Sequence, residues 1–465
     1  MTSLSYTENY GIQFEATGNP HLDLFSQIGA MRHFALNNNP QPIRSLFHSA
    51  FLADKELAVK IAFWTRWCRG GSGERATFHV ILKELTQLEP DFVKDNIDAI
   101  VEYGYWKDLV PYSDPDKYPY IAEQIERKWA IGCLQKDRLA CKWAPRKGDL
   151  ARAIKGRMNF TWKEYRVWLK ENSETVEQGM AMKEWDKITY PVVPSISMTR
   201  HHKAFMKWDK ERFEAFIADK DAKVNASVLY PYQIIRELDS NEALAEKLWA
   251  HLPDYLVEGE SILPMVDVSG SMTMGQNPVP IEVAISLGMY LSERAFGPFR
   301  NKMLTFSQSP EFFTMEKDWS LKERASRIAH ANWDMNTDFE KAYRMILEMA
   351  TAFKLSQDKL PSMLLVLSDM QFDESQRGSN KPHLEEMEIS FKEAGYKLPK
   401  LVFWNLNAYN NGAPAVADKD GVCMVSGFSP AIMKAILKAE DFNPVDIMME
   451  AIEPIELDFK SLVKN

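Results

Sequence analysis

From residue 256 onward the chain repeats one pattern, a short continuous apolar run followed by an amphipathic helical window. The runs lie at 262–268, 302–306, 363–367, 401–404 and 422–425, and the windows at 279–296, 321–331, 338–354, 384–394 and 430–439. A strand that is apolar at every position is buried on both faces, and such strands alternating with helices make a parallel sheet covered on both sides. Residues 256–465 are therefore predicted to be a doubly wound α/β domain. Residues 1–255 read differently. Apolar side chains recur at i, i+3, i+4 around residues 22–28, 56–64 and 78–85, with short turns such as Arg69-Gly-Gly-Ser-Gly73 between them. Almost nothing there alternates as a half-exposed strand would, so the expectation is an all-helical domain of stacked, HEAT-like pairs, without a fixed repeat period. The chain as a whole is predicted to be α + α/β.

A length of 465 residues exceeds what one hydrophobic core supports, in keeping with two domains. No stretch reaches the roughly 18 apolar residues that span a bilayer, and the first residues lack a basic segment leading into an apolar one. A cytoplasmic monomer with no membrane partner is expected. Cys68, Cys133, Cys141 and Cys423 contain no C-x-x-C pair, which argues against a disulfide framework or a structural zinc. The net charge of −9 is uneven, because residues 256–465 hold 21 Lys+Arg against 30 Asp+Glu while the first 255 balance. Within the balanced part, residues 127–170 carry 13 Lys+Arg against 3 Asp+Glu, interleaved with Trp129, Trp143, Phe160, Trp162, Tyr165 and Trp168.

The first strand of the α/β part runs into Asp267-Val-Ser-Gly-Ser-Met272. Ligands of such sheets bind just beyond the carboxyl ends of the strands, which is where this turn must lie. One carboxylate and two hydroxyls at alternate positions suit a hard cation such as Mg²⁺, with Mn²⁺ or Ca²⁺ as substitutes, and Gly270 is read as the residue that lets the turn bend. The competing reading of Asp267, Ser269 and Ser271 is a helix-capping turn. The histidines nearest in sequence are His251 and His330, so a general base is not evident and binding is favoured over hydrolysis.

These residues resemble the D-x-S-x-S motif of the metal-ion-dependent adhesion site in von Willebrand factor A-type domains. That resemblance implies two more ligands, Thr337 in Asn336-Thr-Asp-Phe339 and Asp369 in Leu365-Val-Leu-Ser-Asp369, with Asp338 and Asp373 as competitors. It also implies that the cation captures an acidic group of a partner. A helical domain joined to such an A domain resembles the Ro autoantigen (TROVE) architecture, in which a helical ring binds RNA. The strings themselves are more similar to a family of Ro-like, A-domain-bearing proteins of viruses, phages and plants. They include Thr17-Gly-Asn-Pro-His-Leu-Asp-Leu24, Phe63-Trp-Thr-Arg-Trp-Cys-Arg-Gly-Gly-Ser-Gly-Glu-Arg75, Tyr103-Gly-Tyr-Trp-Lys-Asp108, Lys142-Trp-Ala-Pro-Arg146 and Ser426-Gly-Phe-Ser-Pro430.

The resemblance implies a non-enzymatic RNA-binding scaffold. Lys142, Arg146, Lys147, Arg152, Lys155 and Arg157 are the candidates for phosphate contacts, with nearby Trp and Tyr able to stack on unpaired bases. The competing description of 127–170 is a solvated helix face over core aromatics. The alternatives in function are a protein-interaction scaffold with no nucleic-acid role and a metal-dependent hydrolase. Arg69-Gly-Gly-Ser-Gly-Glu-Arg75 lacks the Lys-Ser/Thr ending of a phosphate loop and follows a helix, so it is read as a helix–helix turn. His201 and His202 point about 100° apart on a helix, too far to share an ion, and are read as surface residues.

Overall fold

The computed structural model describes residues 4–6, 12–14, 18–29, 31–67, 69–226, 228–256, 261–273, 278–307, 309–330, 339–369, 384–406, 422–426 and 444–462. The predicted helical window at 430–439 lies outside them, as do Cys68, Thr337, Asp338 and Asp373.

Up to residue 256 the described chain is helical except for one antiparallel pair, β1 (Leu4–Tyr6) and β2 (Ile12–Phe14), which the sequence reading did not anticipate. The helices Pro20–Ile28, Gln41–Ala53, Lys55–Arg66 and Arg75–Leu88 pack on one another through Phe25, Phe47, Phe63, Trp64 and Phe78. Their ends are set by local chemistry. Asn19 accepts from the amides of His21 and Leu22, Asp54 from Leu57 and Glu74 from Ala76, each satisfying amides that a helix start leaves unpaired. The Arg69–Arg75 stretch is a helix–helix turn as expected, with Glu74 as the cap of the second helix.

The C-terminal part is built on one six-stranded sheet. Its strands are β3 (Ile262–Val266), β4 (Lys302–Thr305), β5 (Phe312–Thr314), β6 (Met363–Ser368), β7 (Lys400–Asn405) and β8 (Val422–Ser426), in the order β5-β4-β3-β6-β7-β8. All neighbours are parallel except β4 and β5. The five predicted strands are all present, each within two residues of its expected ends, and the edge strand β5 is an addition. Numbered within the sheet this is the 3-2-1-4-5-6 order of doubly wound folds, in which the chain reverses direction of growth between β3 and β6.

Every described residue of β3 and β6 is buried. On one face Val266, Leu365, Leu367 and Trp404 meet the helix Pro280–Arg294, and this cluster runs without a break into the core of the helical part. On the other face Met265, Leu364, Val366 and Phe403 lie under the helices Phe339–Ala352 and Leu384–Glu393. Gly288 lets Pro280–Arg294 approach β3, since a Cβ there would stand 2.5 Å from Val266 Cγ2. A further helix, Pro444–Ile452, was not predicted.

The segment after that helix returns to the helical part. Asn96 and Asp458 exchange two hydrogen bonds, Nδ2 to the Asp458 carbonyl and the Asp458 amide to Oδ1, both 2.7 Å. The Tyr103 hydroxyl donates to the Pro454 carbonyl at 3.2 Å and accepts from the Glu456 amide at 2.8 Å. Phe459 stacks on Phe92 with centroids 6.0 Å apart, and Ile455 and Leu462 are buried. Among the described residues no helix is long and apolar enough to cross a membrane.

Candidate functional site

β3 delivers Asp267 to the point where the strand order reverses, and its amide still pairs with the Leu367 carbonyl of β6 at 2.9 Å. Asp267 is 1% exposed and Asp369, one residue past the end of β6, is 0% exposed. The register Val266↔Leu367 sets Ser368 beside Asp267 and Asp369 one step farther along the adjacent strand end. Within the turn, the Ser269 amide donates to Asp267 Oδ1 at 2.9 Å, and the hydroxyls of Ser269 and Ser271 lie 3.0 Å apart. The hydroxyl of Ser368 donates to Asp267 Oδ2 at 2.7 Å.

Of the five predicted cation ligands, the structure thus brings Asp267, Ser269 and Ser271 into one hydrogen-bonded turn with Asp369 on the neighbouring strand end. Thr337 lies outside the described residues. Ser368 is the residue the sequence reading missed; its place directly before Asp369 at the end of a buried strand was the available signal. Gly270 does not act as expected. It has no positive φ, and a Cβ there would meet nothing within 4 Å, so the bend comes from the 3-10 turn Gly270–Thr273 rather than from glycine's freedom.

Burial pushes the Asp267 carboxyl above the usual aspartate range, opposed only by hydrogen bonds from Ser368 and Ser269. No basic side chain among the described residues pairs with Asp267. A buried carboxylate of this kind is costly unless a cation joins it. The donor set is all oxygen, two carboxylates and two or three hydroxyls, which fits Mg²⁺, Mn²⁺ or Ca²⁺ and not a soft metal. Among the described residues no group of three or more His, Cys, Asp or Glu is placed to hold a metal, so a cation site here depends on the serine hydroxyls.

The six basic candidates fare unevenly. Arg152 pairs with Asp149 at 2.6 Å, Arg157 with Glu126 at 3.0 Å and Glu123 at 3.6 Å, and Lys142 stands 3.8 Å from Glu177. Lys155 donates to the Phe160 carbonyl at 3.0 Å, and Arg146 to the Lys142 carbonyl. Lys147 is exposed without a carboxylate partner among the described residues. The aromatics are mostly structural: Trp129 and Tyr165 are fully buried, and their ring groups and that of Trp168 donate to the carbonyls of Ala140, Pro145 and Cys133. Only Trp162 is exposed among the six rings named from this stretch. His201 and His202 have separate partners, Glu177 and the Thr199 carbonyl, and His202 is buried rather than at the surface.

A second cluster joins three strings that stood out in the sequence. Asp108, 0% exposed, accepts from Arg66 Nε (2.9 Å) and the Tyr105 amide (3.2 Å) on Oδ2, and from Arg75 Nε (3.0 Å) and His79 Nε2 (2.7 Å) on Oδ1. Burial alone would raise this carboxyl, but the His79 hydrogen bond and the charges of Arg66 and His79 outweigh it and hold Asp108 below the usual aspartate range. The π-helical turn Ile100–Gly104 leads into the site, and a Cβ on Gly104 would stand 2.4 Å from Asp108 Oδ2, so no larger residue fits there without a shift. Arg66 and Arg75 lie over the Tyr105 ring (5.6 and 4.7 Å), Tyr105 meets Trp143 edge-on at 5.7 Å, and Lys107 and Lys142 lie over Trp143 at 4.3 and 5.1 Å.

Residues 7–112 and 122–257, more than half of the chain, match the family described as "Domain of unknown function (DUF2828)". The chain belongs to this family. Residues 261–458 match a second family, "Domain of unknown function (DUF7788)". The two matches meet within five residues of where the apolar pattern changes. A relative of this DUF2828 chain is "Uncharacterized protein L728" of Acanthamoeba polyphaga mimivirus, 27% identical over 518 residues and aligned over 98% of this chain and 89% of the relative.

Proposed function

We propose that the protein is a non-enzymatic scaffold whose C-terminal part, a von Willebrand A-type domain, captures an acidic ligand through a divalent cation. The observation that carries this is the turn at the strand-order reversal, where buried Asp267, which pairs with no basic side chain among the described residues, is held by Ser269 and Ser368 near Asp369. Asp267, Ser269, Ser271 and Asp369 would hold the cation, with Thr337 as the fifth ligand that the resemblance adds. When bound, Mg²⁺ supplies an open coordination position for a carboxylate or phosphate oxygen of the partner. The protein's own residues fix the oxygen donors in place and exclude water from beneath them.

Titration with Mg²⁺ should raise the melting temperature of wild type and leave Asp267→Ala unmoved. At a hundred times Kd the expected stabilisation is about 2.7 kcal/mol. Equal responses of the two proteins would remove the cation from this reading.

The helical, HEAT-like part is proposed to carry RNA, on the strength of the cation excess in 127–170 and the Ro-like sequence strings. A gel shift with single-stranded RNA should show binding at about 50 mM salt that weakens steeply as salt rises. No shift at the low salt sinks the RNA half of the proposal. A protein-interaction scaffold is the second reading, and one observation favours it: Arg152, Arg157 and Lys142 already face carboxylates.

A further inference from the structure

We infer a second ligand site, distinct from the sheet-end turn and from the paired cations of 127–170, in which Arg75 and Lys107 bind a phosphate ester. The Asp108 network is the scaffold. Its carboxylate has four donors and one negative charge, against the two guanidiniums of Arg66 and Arg75, so the cluster keeps a positive excess around a group no solvent reaches. What it presents outward is the excess. The Arg75 side chain is 49% exposed, and only its Nε is spent on Asp108, leaving both Nη groups without a partner among the described residues. His79, bonded to Asp108 through Nε2, belongs to the frame behind Arg75. Lys107 is exposed, has no carboxylate partner among the described residues, and is held by the Trp143 face.

Pre-positioning explains why this is a site rather than a charged surface. Arg75 is fixed by Asp108 and by the Tyr105 ring, Lys107 by Trp143, and the two rings touch, so the cations stand in a set relation before any ligand arrives. A guanidinium fork and an ammonium, each held on one of two touching rings, suit the oxygens of a phosphate backbone, and fixed side chains lose less entropy on binding it than free ones. The ring faces of Tyr105 and Trp143 are taken by cations, so the site reads phosphate without stacking a base, and binding should be indifferent to base identity.

The source of the phosphate is inferred to be single-stranded RNA, a clause that rests on the RNA reading above; the phosphate chemistry does not. The test uses the intact chain with fluorescent oligouridine across a salt series, and inorganic phosphate in thermal melts. K107Q and R75Q should each lower the slope of log affinity against log salt by about 0.7, the value of one single-strand phosphate contact, with K317Q, an exposed lysine of the C-terminal part, as a surface control. Lys107 makes no bond to Asp108, so K107Q keeps the test sound if R75Q melts early. RNA binding with unchanged slopes in K107Q and R75Q overturns the site and leaves the RNA reading standing. If wild type binds no RNA, the RNA source falls, and the site is kept only if millimolar phosphate raises the wild-type melting temperature and K107Q abolishes that rise. Absence of both effects overturns it.

Discussion

Replacing Asp108 by asparagine is expected to destabilise the protein by about 3–5 kcal/mol, the cost of removing one partner from a buried ionic group. Arg66 is almost fully buried and would lose its one ion pair among the described residues, while the asparagine amide would turn a donor toward either Arg66 or the Arg75–His79 pair. The measurement is urea unfolding followed by helical circular dichroism, where the midpoint should fall with an unchanged slope. A loss below about 0.5 kcal/mol, the range of ordinary surface changes, would mean that the network is not structural.

The same substitution predicts a pH signature. Asp108 is held below the unfolded aspartate value of about 3.9, so it binds a proton less readily folded than unfolded. Its contribution is fully present above that value and is lost as pH falls through the depressed folded one. Wild type should therefore lose more stability than Asp108→Asn on acidification below about pH 4, and parallel curves would contradict the assignment.

Cutting the ties of residues 454–458 is expected to cost nearly as much. Asn96→Ala and Tyr103→Phe together remove the four hydrogen bonds that join this segment to the helical part. At about 1 kcal/mol per bond the double variant should lose about 4 kcal/mol. A double-mutant cycle in urea should also show coupling, because both residues hold the same short segment. Additive losses well under 1 kcal/mol each would show that the segment is held by Phe459, Ile455 and Leu462 alone.

The sheet was legible because β3 and β6 are buried along their whole length, which leaves continuous apolar runs in the sequence. β1, β2 and β5 were not, since three residues are too few to display a period of two. Asp267, Ser269 and Ser271 stand out because strand ends are where such sheets place ligands, whereas Asp369 is named only through the resemblance. Their support from Ser368 crosses between strands and leaves only a faint trace in the string. The cation count over 127–170 does not show which of these side chains already face carboxylates. Glu123 and Glu126 lie just before the window and Glu174 and Glu177 just after it, and these supply the counter-charges to Arg157, Arg138 and Lys142. Asp108 was quoted in a distinctive string, yet nothing local reveals that a carboxylate will be buried by partners 29 to 42 residues earlier.

The ties of Asn96 and Tyr103 to residues 351 to 362 positions later bear on how the chain is made. Synthesis proceeds at about 5–20 residues per second, so the patch around Phe92, Asn96 and Tyr103 waits roughly twenty seconds to over a minute for its cover. During that interval a half-finished helical surface with an open aromatic face is on display in the cell. Chaperone capture, or pairing with another nascent copy, would compete for that face until the later segment emerges and closes it.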